Sequence, residues 1–172
     1  MNQIIMKKLL ILFAIVGMIF SAQAQVSLAD RIAEAGTDWL IGSWQAETDD
    51  GSTLTLAYSW VIKDRVVAAH FKSSDNESYS LIAVNPDTGE IEQVGYDSQG
   101  RKSKGTWGPK GDHPMLKISS KNDNGESQSM AVAFRKIDQN NIEAEIFSVD
   151  ASGEVGDFSQ FSLDFKRKKA EK

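Results

Sequence analysis

The chain is expected to fold as an all-β protein, an antiparallel up-and-down barrel of about ten strands with one short N-terminal helix. Two observations predict it. From about Gly42 onward the apolar residues recur with a period of two, the repeat of a strand with one buried face. Clusters of Asp, Asn, Gly and Ser then interrupt that pattern every 8 to 12 residues or so, the spacing of an all-β meander.

The segment before the barrel has two parts. Lys7 and Lys8 precede an apolar run from Leu9 to Phe20, and Ala22-Gln23-Ala24 follows with small residues flanking one position. This is the pattern of a cleavable secretory leader. Residues 1–24 are therefore expected to be a signal peptide, cut between Ala24 and Gln25, and the mature chain to be periplasmic or secreted. The alternative, a retained membrane anchor, needs roughly 20 apolar residues, more than this run supplies. Next, Ser27-Leu28-Ala29-Asp30 has the form of a capping box. Leu28, Ile32 and Ala35 follow at helical spacing until Gly36, which places a short helix near 28–35 in a lead-in of residues 25–41.

Composition bounds what remains. Residues 42–168 suffice for one core, and 169–172 form a tail. With no cysteine, neither a disulfide framework, a lipobox nor a thiolate metal site is available, so stability rests on packing and the β-ladder. Loss of Lys7 and Lys8 with the leader takes the formal net charge from -5 to -7. That acidity argues against nucleic acid or an anionic lipid surface as partner. Lys166-Arg167-Lys168-Lys169 is the one basic run, and it reads as a solvated terminus.

The turn clusters divide the barrel region as follows. They are Asp49-Asp50-Gly51, Lys63-Asp64, Ser74-Asp75-Asn76, Asn85 to Gly89, Ser98-Gln99-Gly100, Gly108 to Gly111, Asn122 to Gly125, Asp138-Gln139-Asn140 and Asp150 to Asp157. Two hairpins can be oriented. Leu54, Leu56, Tyr58, Trp60 and Ile62 alternate with Thr53, Thr55, Ala57, Ser59 and Val61. With Lys63-Asp64 as a two-residue turn, Trp60 faces Val67, Tyr58 faces Ala69 and Leu56 faces Phe71, so both strands agree on the inside. His70 then points outward with Lys72. Around Ser98-Gln99-Gly100, an outer set of Glu90, Glu92, Val94 and Tyr96 meets Lys102, Lys104 and Thr106. The inner set is Ile91, Gln93 and Gly95 with Arg101, Ser103, Gly105 and Trp107. Glycines and polar groups inside a barrel admit two readings: corner glycines with Arg101 reaching to the rim, or a partly polar cavity wall. Arg101 has no obvious carboxylate on its own inner face in this reading.

The later strands are plain half-buried ones. Met130, Val132 and Phe134 alternate with Ala131, Ala133 and Arg135, and Phe161, Leu163 and Phe165 with Ser162, Asp164 and Lys166. Closing the sheet removes the two edges such a meander leaves over. No catalytic residue is assigned. Glu90/Glu92 and Glu143/Glu145 sit at strand spacing among solvent-type residues, no Ser/His/Asp order or phosphate loop is present, and Asp49-Asp50 and Asp123 to Glu126 lack a calcium-loop spacing. No metal or cofactor is expected.

Leu40-Ile41-Gly42-Ser43-Trp44, after a helix and opening the first strand, resembles the Gly-x-Trp signature of the calycins, which include lipocalins, fatty-acid-binding proteins and nitrobindin-like barrels. Trp60 to Arg65, Val94 to Asp97 and Gly105-Thr106-Trp107 extend the likeness to bacterial lipocalin-like domains. The resemblance implies that Trp44 packs across one end of the barrel beneath a basic residue of the last strand, here Arg167, in a structural role. It also implies binding of a small apolar or amphipathic molecule without catalysis. Tyr58, Trp60, Phe71 and Trp107 are the expected apolar wall, and Gln93 and Arg101 the polar anchors. The rival is a protein-interaction or inhibitor module with a filled barrel. A haem-binding, nitrobindin-like barrel is the third reading; it needs an inward histidine, whereas His70 is expected outward and His113 in a turn beside Pro114.

Overall fold

The computed structural model describes residues 26–122 and 124–168. The expected signal peptide and cleavage site, and the tail, lie outside them. A short helix α1 (Leu28–Glu34) and a 3-10 turn (Asp38–Leu40) precede ten strands. These are β1 (Gly42–Glu47), β2 (Thr53–Ile62), β3 (Val66–Lys72), β4 (Glu77–Val84) and β5 (Ile91–Asp97), then β6 (Lys102–Lys110), β7 (His113–Lys121), β8 (Ser127–Lys136), β9 (Asn141–Ser148) and β10 (Phe161–Arg167). Each strand pairs antiparallel with its neighbours in sequence, and β10 returns to β1, closing an up-and-down barrel.

Closure is the thinnest seam. Only Trp44↔Arg167 and Gln45↔Lys166 pair across it, joined by Lys168 N–H to the Ser43 carbonyl at 2.7 Å. Side chains reinforce what the ladder lacks. The Trp44 ring is 1% exposed, its Nε1 donates to the Leu40 carbonyl at 2.9 Å, and the Arg167 guanidinium lies 4.0 Å over its face. Arg167 in turn donates to the carbonyls of Trp39 (2.6 Å), Ile41 (3.1 Å) and Gln139 (3.0 Å). Gly42 leaves room for this: a Cβ there would stand 2.3 Å from Arg167 Nη1.

The same end of the barrel carries α1. Ser27 caps it, its Oγ accepting from Asp30 N–H at 3.1 Å while the Asp30 carboxylate accepts from Ser27 N–H at 3.0 Å. Leu28 is buried, and Ala29 N–H reaches the Asp64 carbonyl in the β2–β3 turn at 3.2 Å.

Both oriented hairpins have the expected register. Leu56↔Phe71, Tyr58↔Ala69 and Trp60↔Val67 pair, as do Ile91↔Trp107, Gln93↔Gly105 and Gly95↔Ser103. The β2–β3 turn differs from the two-residue form. Ile62 pairs with Val66, Asp64 adopts a φ of 62°, and the register shifts between Trp60 and Ile62. A three-residue turn with a left-handed residue thus absorbs one extra position as a bulge. The expected Gly108 to Gly111 turn is shorter. β6 runs on to Lys110, with Pro109 opposite Pro114, and only Gly111 and Asp112 turn. His113 therefore opens β7 instead of lying in a loop.

One feature breaks the simple alternation. The β9–β10 connection folds back over the outside of the barrel, held by Lys110 Nζ to the Gly156 carbonyl (3.0 Å) and Lys117 Nζ to the Gly153 carbonyl (3.1 Å). Val149 and Val155 then cover Ala131, Ala133 and Phe147 on the outer face. β8 and β9 are accordingly buried on both faces there, not half-buried.

Candidate functional site

The two ends of the barrel are chemically different, and strand direction decides which residues reach each. Along β6, Arg101 and Trp107 are about 20 Å apart at about 3.4 Å per residue. Trp107 points into the half nearer α1, and Arg101 stands at the far mouth.

The barrel centre is filled by aromatic rings. Tyr58, Trp107 and Phe134 meet with centroids 5.9–6.4 Å apart, edge-on for Tyr58 and stacked for Trp107 on Phe134. Such pairs contribute beyond their buried area. Trp107 Nε1 donates to Gln93 Oε1 at 2.9 Å, which accounts for a polar side chain only 6% exposed. Burial pushes the Tyr58 phenol far above its ordinary range, so it stays protonated.

Above this cluster, toward α1, opens a cavity that runs on over the β6–β7 turn to Thr106, Met115 and Lys117 on the outer face, about 930 Å³ in all. Its floor is Tyr58, Val67, Ile82, Ile91 and Trp107, and its roof is the underside of α1, with Leu28, Arg31, Ile32, Glu34 and Ala35. Glu90, Asp112 and His113 stand on the rim, which continues past Gly108 to Lys117. The bare backbone of Gly89, Gly108 and Gly111 keeps that rim low. A pocket of this size with an apolar floor and few polar groups is what a small organic ligand requires.

Of the expected site residues, Tyr58 and Trp107 line this cavity. Gln93 touches it only through Trp107 and also borders a smaller hollow of about 300 Å³ beneath the β9–β10 connection. Trp60 and Phe71 pack against the core without lining the cavity. Arg101 is at the opposite end, and the expectation that it lacks a carboxylate is corrected. Arg101 Nε donates to Asp97 Oδ2 at 2.7 Å, and Asp97 also accepts from Arg101 N–H at 2.9 Å. Burial works against the charged Asp97 carboxylate, but these bonds and one from Gln99 N–H outweigh it and hold the group below its usual range. Asp97 pairs with it by continuing the inner set Ile91, Gln93, Gly95.

The residues that sequence reasoning missed are Leu28, Arg31 and Ile32 of α1, with Val67, Ile82 and Ile91. One signal was available. Leu28, Arg31, Ile32 and Ala35 fall on a single helix face, so Arg31 is a cation within the apolar stripe. Of the two histidines, His70 faces outward, stacked 4.0 Å on Tyr79 with Nε2 2.7 Å from Glu77 Oε1, and His113 is on the cavity rim. Among the described residues no cluster of three or more His, Asp or Glu could hold a metal ion.

Comparison with protein-family models and with curated proteins gives no match.

Proposed function

We propose that the chain is an exported, lipocalin-like barrel that binds a small apolar or amphipathic molecule without transforming it. The observation that carries this reading is the open cavity that begins between α1 and the Tyr58/Trp107/Phe134 cluster and runs out over the β6–β7 turn, about 930 Å³ in all. A barrel packed solid as an interaction module would not leave its helix-bearing end open over the apolar side chains of Tyr58, Val67, Ile82 and Ile91. The closed antiparallel topology and the Trp44–Arg167 stack accord with a calycin-like fold, and the leader-like sequence pattern of residues 1–24 supports export.

The ligand enters at the helix-bearing end, because the aromatic cluster blocks passage from the other. Titrating the mature chain with 1-dodecanol is expected to give saturable quenching of tryptophan fluorescence, lost in Trp107→Phe. Ile91→Trp, which fills the cavity floor, is expected to remove binding while circular dichroism stays unchanged. Binding that survives Ile91→Trp undiminished would place the ligand elsewhere and contradict the proposal.

A further inference from the structure

We infer that the cavity's ligand is a monocarboxylate, its apolar body inside the barrel and its carboxylate on Arg31. This rests on the binding reading above and adds the head group and its anchor.

Arg31 is the one cation that α1 presents to the cavity, flanked by Leu28, Ile32 and Ala35, with Glu34 at the end of the helix also lining it. Its Nε is buried and makes no hydrogen bond. Its ion pair with Glu34 is at 4.0 Å, and Nη2 lies against Gly89 of the β4–β5 turn, 4.0 Å from where a Cβ would be. A buried N–H without an acceptor is costly, and a planar guanidinium offers a carboxylate two parallel donors. Lys117, the other fixed cation of the rim, is already donating to the Gly153 carbonyl.

The rim also limits the charge. Glu34, Glu90 and Asp112 line it and repel a dianion more than a single negative charge, which favours a carboxylate over a phosphate monoester. The floor supplies no charged group: Val67, Ile82 and Ile91 are aliphatic, and Tyr58 stays a neutral phenol. An amphipathic anion thus fits the cavity with its charge at the rim, in reach of water, and its body over Trp107.

Calorimetric titration of the mature chain with dodecanoate, dodecylammonium and 1-dodecanol separates the head group from the tail. Dodecanoate is expected to bind about tenfold or more tightly than dodecylammonium, the lower end for a charge-assisted pair at a partly exposed site. Arg31→Gln is expected to erase that preference and leave 1-dodecanol binding unchanged. Equal binding of the two ions by the wild type, or a preference that survives Arg31→Gln, overturns the inference while 1-dodecanol binding keeps the cavity reading intact. Should Arg31→Gln not fold, the wild-type comparison decides alone. Failure of all three probes to bind overturns both.

Discussion

Trp44→Ala is expected to lower the stability of the barrel by about 3–5 kcal/mol, measured by urea denaturation. For a domain whose whole stability is about 5–15 kcal/mol, that is about a fifth or more of the total. The substitution removes a fully buried ring and leaves the Leu40 carbonyl without its donor. It also strips the surface on which Arg167 lies, so the guanidinium that ties together the carbonyls of Trp39, Ile41 and Gln139 loses its seat. All of this happens at the β1–β10 seam, where two residue pairs close the barrel. Trp44→Phe keeps most of the apolar area and forfeits mainly the indole hydrogen bond, so its loss is expected to be about 1–2 kcal/mol. A loss below about 1 kcal/mol for Trp44→Ala would mean that the seam is held by something other than this stack.

Gly95→Ala is expected to cost about 3 kcal/mol, the upper end for overpacking a core. Gly95 faces Ser80 across the β4–β5 ladder, inside the barrel. A Cβ there would stand 2.1 Å from Ser80 Oγ and 2.4 Å from the Tyr79 carbonyl oxygen. A side chain can swing aside, but a backbone carbonyl within a ladder cannot. The double variant Ser80→Gly/Gly95→Ala should therefore recover only part of the loss, since it relieves the hydroxyl and not the Tyr79 carbonyl. Full tolerance of Gly95→Ala in thermal unfolding would contradict this register.

That second prediction shows why the strand pattern was legible. Each of the nine turn clusters falls in or at the edge of a real connection, because reversing an antiparallel chain demands residues that reach unusual backbone angles or bond their own backbone. The registers followed once inner and outer sets were required to match across a pair. Turn length was less accessible. Lys63-Asp64 became a three-residue turn because Asp64 accepts a left-handed conformation, and Pro109 continued β6 because Pro114 stands opposite it. The fold-back of the β9–β10 connection left no periodic mark. It depends on Lys110 and Lys117 finding carbonyls about 40 residues away in sequence.

The site was legible in its floor and not in its roof. Tyr58 and Trp107 follow from strand alternation alone. Arg31 belongs to the site only because α1 folds across the barrel end, a tertiary event that sequence spacing does not encode. Arg101 was assigned to a ligand because the inner set was counted only as far as Gly95, although the same alternation puts Asp97 next on that face. Just past the last ladder pair, Asp97 N–H donates to the Arg101 carbonyl and the two side chains meet.

The central claim is that a small apolar molecule occupies the helix-bearing half of the barrel. Amide and methyl chemical-shift mapping of residues 25–172, with 1-dodecanol added, reports its position directly. The account predicts perturbations concentrated at Leu28, Ile32, Val67, Ile82, Ile91 and the Trp107 indole, with Phe71, Arg101 and Met130 at the far mouth unmoved. Shifts gathered at the far mouth, or spread over the outer face with none at Ile82 and Ile91, would contradict it.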